Sequence, residues 1–273
     1  MADAPRLHVE AEGRGEPLIL GHGFGGSARN FRAQARALSG RWRVVRFDAR
    51  GHARSEAPCD PAAYTPAALV GDLMRIVEGL RAEPAAGAPR VEQAIVGGLS
   101  MGAGIALRFG LAHPGWTRAL VLAAFPAAAD TPGGYASVAE RFAERIERDG
   151  LDAAGAEFVW GPASGLDAAG SELVRRGFLE HRPYALASML RGVIAVQPAV
   201  ADLAPALAAL RIPTLVIVGT RDRLSLAPSR ALAEAIPGAR LVEIPDAGHL
   251  VNLARPVEFN TAVAEFLAAL PPV

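Results

Sequence analysis

Short runs of β-branched and leucine residues alternate along the chain with longer, alanine-rich stretches of helical spacing. This alternation is typical of βαβ units, which build a parallel sheet with helices on both faces. The apolar runs predict these strands: Leu7–Ala11, Pro17–Gly21, Trp42–Asp48, Val91–Gly97, Arg118–Ala124, Thr214–Thr220 and Arg240–Ile244. The stretches between them predict these helices: Ala28–Leu38, Pro66–Arg81, Ser100–Ala112, Pro228–Ile236 and Pro256–Leu270. We therefore predict an α/β fold with a mostly parallel sheet of about seven strands.

The alternation breaks after the predicted strand Arg118–Ala124. From Pro126 to Gln197 there are helical segments and Gly/Pro loops but no apolar strand run. Within this stretch, opposite charges at helical spacing over Glu140–Asp149 indicate a solvated amphipathic helix, not a binding face. We predict one core formed by residues 1–125 and 198–273, with residues 126–197 inserted as a helical cap.

Composition and charge exclude several classes of function. The chain has 51% hydrophobic and 21% charged residues, which is ordinary for a globular protein. Its formal net charge of zero gives no general attraction to nucleic acid or to an anionic membrane. The sequence shows no apolar run of about 18 residues and no apolar signal segment near Met1, so we expect a cytoplasmic protein without a membrane partner. All 28 basic residues are arginine, which excludes lysine Schiff-base chemistry, and Cys59 is the one cysteine, which excludes an internal disulfide.

The strongest local pattern is Gly98-Leu99-Ser100-Met101-Gly102, with an apolar strand before it and a small-residue helix after it. A chain that reverses this sharply forces the central residue into a strained conformation, and the positions two residues away must lack side chains. Both of those positions are glycine here. The pattern therefore predicts that Ser100 is an exposed nucleophile at the start of a helix.

A serine nucleophile needs a base and a third group that orients the base. His249 lies in a polar loop directly after the last predicted strand, at the carboxyl edge that also carries Ser100. Asp222 leaves the neighbouring predicted strand at the same edge, and the order serine, acid, histidine suits this type of fold. We predict a catalytic triad of Ser100, Asp222 and His249. Asp130 and Asp246 are the alternative acids.

Acyl transfer also needs two backbone N–H groups directed at the developing oxyanion. One should come from Met101, the residue after the nucleophile. The other should come from Phe24 in the glycine-rich loop His22-Gly23-Phe24-Gly25-Gly26. No Cys/His group has the spacing of a metal site, so the sequence predicts neither a metal nor a cofactor.

Four motifs resemble the capped α/β-hydrolase family in matching order: His22–Gly25, Asp48–Ser55, Gly98–Gly102 and Gly248-His249. Within that family the chain is most similar to small esterases, to cofactor-free haloperoxidase-like perhydrolases and to 3-oxoadipate enol-lactonases. One departure is Ala53, which stands where the family usually has glycine. The resemblance also implies that His52 is structural, and we expect His22 to brace the loop that carries Phe24.

These features predict hydrolysis of a carboxylic ester or lactone through an acyl-serine intermediate. The alternative is a carbon–carbon bond hydrolase acting on ring-cleavage products, because such enzymes use the same three residue types. An inert binding module on the same frame is disfavoured, because all three triad members are present. The insertion should select the small-molecule substrate, and Trp160 is the candidate pocket residue there. The sequence does not indicate an oligomeric state.

Overall fold

A computed structural model describes residues 4–83, 91–127, 134–161, 166 and 168–271. These residues form a seven-stranded sheet with the strand order β1-β3-β2-β4-β5-β6-β7. The strands are β1 (Val9–Glu12), β2 (Glu16–Gly21), β3 (Trp42–Phe47), β4 (Ala94–Leu99), β5 (Thr117–Ala123), β6 (Thr214–Gly219) and β7 (Arg240–Ile244). Strands β2 to β7 pair in parallel, and β1 pairs antiparallel with β3 at one edge. The predicted fold class is confirmed.

Helices connect the strands and cover the sheet. They are α1 (Arg32–Leu38), α2 (Pro66–Ala82), α3 (Met101–Ala112), α4 (Gly134–Phe158), α5 (Ala168–Phe178), α6 (Pro183–Met189), α7 (Ala204–Ala209), α8 (Leu226–Ala235), α9 (Val251–Ala254) and α10 (Pro256–Ala268). Thr65 begins α2 as expected, because its hydroxyl accepts the Ala68 N–H (3.1 Å) ahead of Pro66. Over the described ranges, no helix is both long enough and apolar enough to cross a bilayer.

The core has two layers because side chains alternate along each strand. In β2, Leu18 and Leu20 belong to one hydrophobic cluster, and Ile19 between them belongs to the other. The first cluster includes side chains of α1 and α10, and the second includes side chains of α2, α3 and α8. Every residue of β4 and β6 is buried, as expected for strands covered on both faces.

Strands β1 to β6 differ from their predicted ranges by one to three residues at an end, and the differences at β4 and β5 have clear physical reasons. Strand β4 begins at Ala94, three residues after the predicted start, because Glu92 and Gln93 are exposed and leave the sheet. It continues to Leu99 because both glycines at its end still pair with neighbouring strands. Strand β5 covers Thr117–Ala123, and Ala124 lies outside it because its φ of 47° turns the chain away from the sheet.

Helices α4 to α6 lie between β5 and β6, where the sequence predicts the insertion. They share a hydrophobic cluster of their own, in which Phe142, Ile146 and Phe178 are buried. Helix α4 is broken at Gly150, which has a φ of 82°. Phe142 and Ile146 lie within Glu140–Asp149, so the apolar side of the predicted amphipathic helix packs in this cluster. The division of the chain at residues 126 and 197 stays a prediction.

Candidate active site

Ser100 occupies the sharp turn between β4 and α3. Its backbone has φ 52° and ψ −114°, a strained conformation for a residue with a side chain. The Ser100 N–H donates to the Ala123 carbonyl (2.8 Å), which ties the turn to β5. A Cβ on Gly98 would lie 2.4 Å from the Gly21 oxygen, and one on Gly102 would lie 2.1 Å from it. The expected steric reason for both glycines is therefore present in the structure.

Asp222 and His249 meet beyond the carboxyl ends of β6 and β7. Their loops pack closely, because the Arg221 N–H donates to the Ala247 carbonyl (2.9 Å). A Cβ on Gly219 would lie 2.2 Å from the same carbonyl oxygen, so the approach depends on glycine. His249 Nδ1 lies 2.8 Å from Asp222 Oδ2, as required of a base and the acid that orients it. The structure thus brings two of the three predicted triad members into direct contact.

The Asp222 carboxylate is almost fully buried, and both of its oxygens have partners. Oδ1 accepts the backbone N–H groups of Leu224 and Ser225, each at 3.1 Å, and Oδ2 faces His249. Burial by itself raises the pKa of this carboxyl. The hydrogen bond and charge of His249, with the Ser225 donors, outweigh burial and hold the pKa below its ordinary value of 3.8. Asp222 is therefore a stable carboxylate beside the imidazole.

Ser225 is a residue of this site that the sequence analysis missed. It is fully buried, and its Oγ lies 3.3 Å from His249 Nδ1. The available signal was spacing, because a hydroxyl residue three positions after an aspartate often belongs to a turn closed by that aspartate. In the structure, one carboxylate oxygen closes the turn and the other contacts the histidine.

The alternative acids differ sharply from Asp222. Asp246 is exposed, has a φ of 57°, and pairs with Arg221 through a 2.5 Å contact between its Oδ1 and the guanidinium. Among the described residues, no hydrogen bond joins Asp246 to His249. Asp130 lies outside the described residues.

The glycine-rich loop after β2 lies against Ser100. A Cβ built on Gly23 would lie 3.5 Å from the Ser100 Cβ, and the Gly26 N–H closes the turn onto the Gly23 carbonyl (3.0 Å). Phe24 is in this turn, and no acceptor for its N–H lies within the described part of the chain. Met101 is the first residue of α3, where an N–H has no intrahelical acceptor. Both N–H groups proposed for the oxyanion are available.

Two buried histidines hold this loop. His22 Nε2 accepts the Ala49 N–H (2.9 Å), so its Nδ1 carries the proton that it donates to the Gly23 carbonyl (2.7 Å). His52 Nε2 accepts the Gly25 N–H (3.2 Å). Burial lowers the pKa of His22 to about 4 and lowers the pKa of His52 well below 6.5, so both rings are neutral. These contacts agree with the structural roles expected for His22 and His52.

Aromatic residues of the insertion contact the same loop. The Phe24 ring lies edge-on to Phe142 and Phe178, with centroid distances of 5.5 and 6.2 Å. Trp160 packs edge-on against Phe178 at 5.5 Å. Tyr135, at the start of α4, is close enough to Asp222 for that charge to add to burial in raising the pKa of the phenol. The insertion therefore reaches both the oxyanion loop and the acid.

The remaining contact of the predicted triad would join Ser100 to His249. Among the described residues, no hydrogen bond joins Ser100 Oγ to His249. Catalytic hydrogen bonds are often long without substrate and shorten only in the reacting complex. In the described part of the chain, no three or more His, Cys, Asp or Glu side chains form a group that could hold a metal ion.

Comparisons with known proteins bear on the fold and on the kind of protein that carries it. A family model described as the alpha/beta hydrolase family matches residues 18–262. A putative 2-succinyl-6-hydroxy-2,4-cyclohexadiene-1-carboxylate synthase of Bacillus subtilis is 28% identical, over 99% of this chain and 97% of the relative. The structure of a thermophilic esterase from Thermogutta terrifontis superposes with a TM-score of 0.84 at 30% identity, covering 97% of this chain and 94% of the esterase. An enol-lactonase from Burkholderia xenovorans gives 0.81 at 28% identity, covering 97% of both chains.

Proposed function

Because the chain belongs to the alpha/beta hydrolase family, we propose that it is a serine hydrolase that cleaves a carboxylic ester or lactone through an acyl-serine intermediate. The observation that carries the proposal is the 2.8 Å contact between His249 Nδ1 and a buried, ionised Asp222 at the edge of the sheet that holds Ser100. The esterase and the enol-lactonase cited above support the bond type.

In the first half of the reaction, the Ser100 hydroxyl oxygen attacks the carbonyl carbon, and its proton passes to His249 Nε2. The Nδ1–H of His249 donates to Asp222, which stabilises the imidazolium that forms. The Phe24 and Met101 N–H groups bind the oxyanion of the tetrahedral intermediate. The carbon–oxygen bond to the alcohol then breaks, and His249 returns the proton to the leaving oxygen.

In the second half, water replaces the alcohol. His249 removes a proton from the water, the resulting oxygen attacks the acyl carbon, and the same two N–H groups bind the second oxyanion. The bond between the acyl carbon and Ser100 Oγ then breaks, and His249 gives its proton to Oγ, which releases the acid and restores the serine hydroxyl. All groups in this scheme come from the chain itself and from water.

The substrate is proposed at the level of bond type and polarity. The aromatic contacts around Phe24 favour an apolar or aromatic acyl or alcohol group near the oxyanion loop. Trp160 is proposed as a residue that shapes the site through Phe178. The names of the relatives cover different reactions at 28 to 30% identity, so the substrate needs a direct assay.

The test is turnover of a panel of esters and lactones of graded chain length. Wild type should hydrolyse some of them, Ser100→Ala should lose the activity, and Ser188→Ala should keep it. Ser188 is a matched control because its hydroxyl donates to the Tyr184 carbonyl (2.8 Å) within α6. A vinylogous 1,5-diketone acid belongs in the panel, because cleavage of that compound alone would favour a carbon–carbon hydrolase and contradict the ester proposal.

A further inference from the structure

His181 is a buried histidine of the insertion, between α5 and α6, and the proposed mechanism does not use it. Both of its ring nitrogens face carbonyl oxygens. Nδ1 lies 2.9 Å from the Phe178 carbonyl in its own turn, and Nε2 lies 3.0 Å from the Gly26 carbonyl, 155 residues away in the oxyanion loop. The second contact joins the insertion to the loop that carries Phe24.

The charges around His181 determine how many protons the ring carries. The carboxylates of Asp48 and Glu180 and the two carbonyl contacts favour the charged ring, and His22 and His52 are neutral neighbours. Burial outweighs these contributions and lowers the pKa of His181 below its ordinary value. Glu180 is also neutralised by Arg29, whose guanidinium binds it at 2.6 and 2.7 Å. The imidazole is therefore neutral near pH 7 and has one N–H for two carbonyls.

The position of that proton follows from the other donors available to each carbonyl. The Phe178 carbonyl already accepts the backbone N–H of His181 (3.3 Å). Among the described residues, the only donor within hydrogen-bond distance of the Gly26 carbonyl is His181 Nε2. In either neutral form one ring lone pair faces a carbonyl oxygen, that of Phe178 in the Nε2–H form and that of Gly26 in the Nδ1–H form. Only the Nε2–H form gives each carbonyl a donor, because the Phe178 carbonyl keeps the backbone N–H of His181. The geometry favours the Nε2–H form.

The same segment of the insertion contacts the loop a second time. The Phe178 ring packs directly on Gly25, where a Cβ would lie 2.4 Å from the ring and where φ is 67°. The Gly26 N–H closes the turn around Phe24 by donating to the Gly23 carbonyl (3.0 Å). The Gly26 carbonyl and N–H lie in successive peptide groups joined at the Gly26 Cα, so a bond that holds the carbonyl also restrains the N–H. The Gly23 carbonyl that this N–H binds shares a peptide group with the Phe24 N–H, and the direction of the Phe24 N–H is restrained in turn.

We propose that His181 is a positioning residue of the oxyanion hole, which holds the Phe24 N–H in place through the hydrogen bond from its Nε2–H to the Gly26 carbonyl. This inference rests on the proposed function, and it extends the oxyanion hole to a side chain of the insertion. This hydrogen bond couples the position of the insertion to the geometry of the oxyanion donors, beside the packing of Phe178 on Gly25.

A pair of amide variants tests the proposal. In His181→Gln the amide N–H₂ can reach the place of Nε2 and keep the bond to Gly26, whereas in His181→Asn it reaches only the place of Nδ1. We expect His181→Asn to lower kcat roughly tenfold with KM nearly unchanged, less than the 10²- to 10³-fold cost of losing an oxyanion donor itself. His181→Gln should recover most of the loss. Equal activity of the two variants, or an effect confined to KM, would overturn the proposal.

Glu180→Gln is the matched control, because it removes the neighbouring ion pair between insertion and core and leaves the histidine intact. It should keep kcat within about twofold, since surface ion pairs contribute little. A tenfold loss in this variant would mean that any loosening of the insertion lowers kcat, which would overturn the specific role of His181.

A measurement on wild type covers the case in which His181→Asn does not fold. Nitrogen-15 chemical shifts of labelled histidine distinguish the two neutral forms, and the proposal requires the proton of His181 on Nε2. A proton on Nδ1 would overturn it. Wild type that hydrolyses no ester or lactone would contradict the proposed function, whereas active wild type with an equally active His181→Asn variant would contradict this inference alone.

Discussion

His249 and the three histidines around the oxyanion loop have contrasting surroundings. The His249 side chain is 32% exposed and contacts a carboxylate, Asp222. His22, His52 and His181 are buried, and within the described ranges their ring nitrogens form hydrogen bonds only with backbone groups. Burial lowers the pKa of each of these three rings.

The difference explains how one site can use histidine in two ways. A carboxylate partner and access to solvent allow a ring to accept a proton during the reaction. A ring enclosed by peptide groups stays neutral and keeps a fixed tautomer, which suits it to orienting a loop. The surroundings therefore favour His249 as the base and assign His22, His52 and His181 to the oxyanion loop.

The largest expected effect comes from removing the carboxylate that distinguishes His249. Asp222→Asn should keep the shape of the site but favour the wrong tautomer of His249, lowering kcat by a factor on the order of 10⁴. Steady-state kinetics would measure the loss, with folding checked by circular dichroism. Asp246→Asn is the matched control and should stay within roughly tenfold of wild type, as should Asp130→Asn. If Asp130→Asn lost the activity and Asp222→Asn kept it, the acid of the triad would be Asp130 and not Asp222.

The second effect concerns stability at acid pH and tests the buried histidines. The pKa of His22 is about 4 in the folded protein and 6.5 ordinarily, so between these values the unfolded chain binds a proton that the folded chain does not. The free energy of unfolding should therefore be highest above pH 6.5 and should decrease as the pH is lowered. For His22 alone the decrease should reach about 2 kcal/mol at pH 5.

Urea unfolding between pH 7.5 and 5 would measure this loss above the range in which most carboxylates titrate. A free energy of unfolding that stays constant over this pH range would mean that His22, His52 and His181 take up protons in the folded protein without cost. Their surroundings would then not keep these rings neutral.

The site has an acid side, formed by Asp222, Ser225 and His249, and an oxyanion side, formed by the loop His22–Gly26 and the side chains that hold it. The sequence predicts the acid side more completely than the oxyanion side. Ser100 is identifiable because its turn imposes local steric demands, met by Gly98 and Gly102. Asp222 and His249 are identifiable because parallel strands bring their carboxyl ends to one edge. The role of His181 depends on packing between segments 155 residues apart, which leaves no local pattern. Ala53 shows the same limit, because its φ of 42° explains the glycine usual there but is visible only in the structure.

A smaller effect should come from the hydroxyl beside the acid and base. Ser225→Ala removes the Oγ that lies 3.3 Å from His249 Nδ1, and we expect kcat to fall about tenfold, as for one hydrogen bond to a charged group. Ser229→Ala is the matched control, because that serine is also buried but its Oγ has no hydrogen-bond partner in the described part of the chain. Equal kinetics of the two variants would show that Ser225 does not assist His249 and that Asp222 alone orients it.

The smallest effect concerns selectivity on the oxyanion side. Trp160→Ala removes the ring that packs on Phe178, and it should change the ratio of kcat/KM for bulky and small esters by about three- to tenfold. The folding midpoint should change less. An equal loss for all esters, together with a large fall in the midpoint, would show that Trp160 only stabilises the insertion.

Covalent trapping of the nucleophile tests the proposed catalytic triad most directly. A phosphonate or sulfonyl fluoride should add once to the protein, seen by intact mass, and peptide digestion should map the adduct to Ser100. Asp222→Asn should react far more slowly than Asp246→Asn, because labelling needs the same base. An adduct on another serine, or undiminished labelling of Ser100→Ala, would show that Ser100, His249 and Asp222 do not act as one catalytic unit.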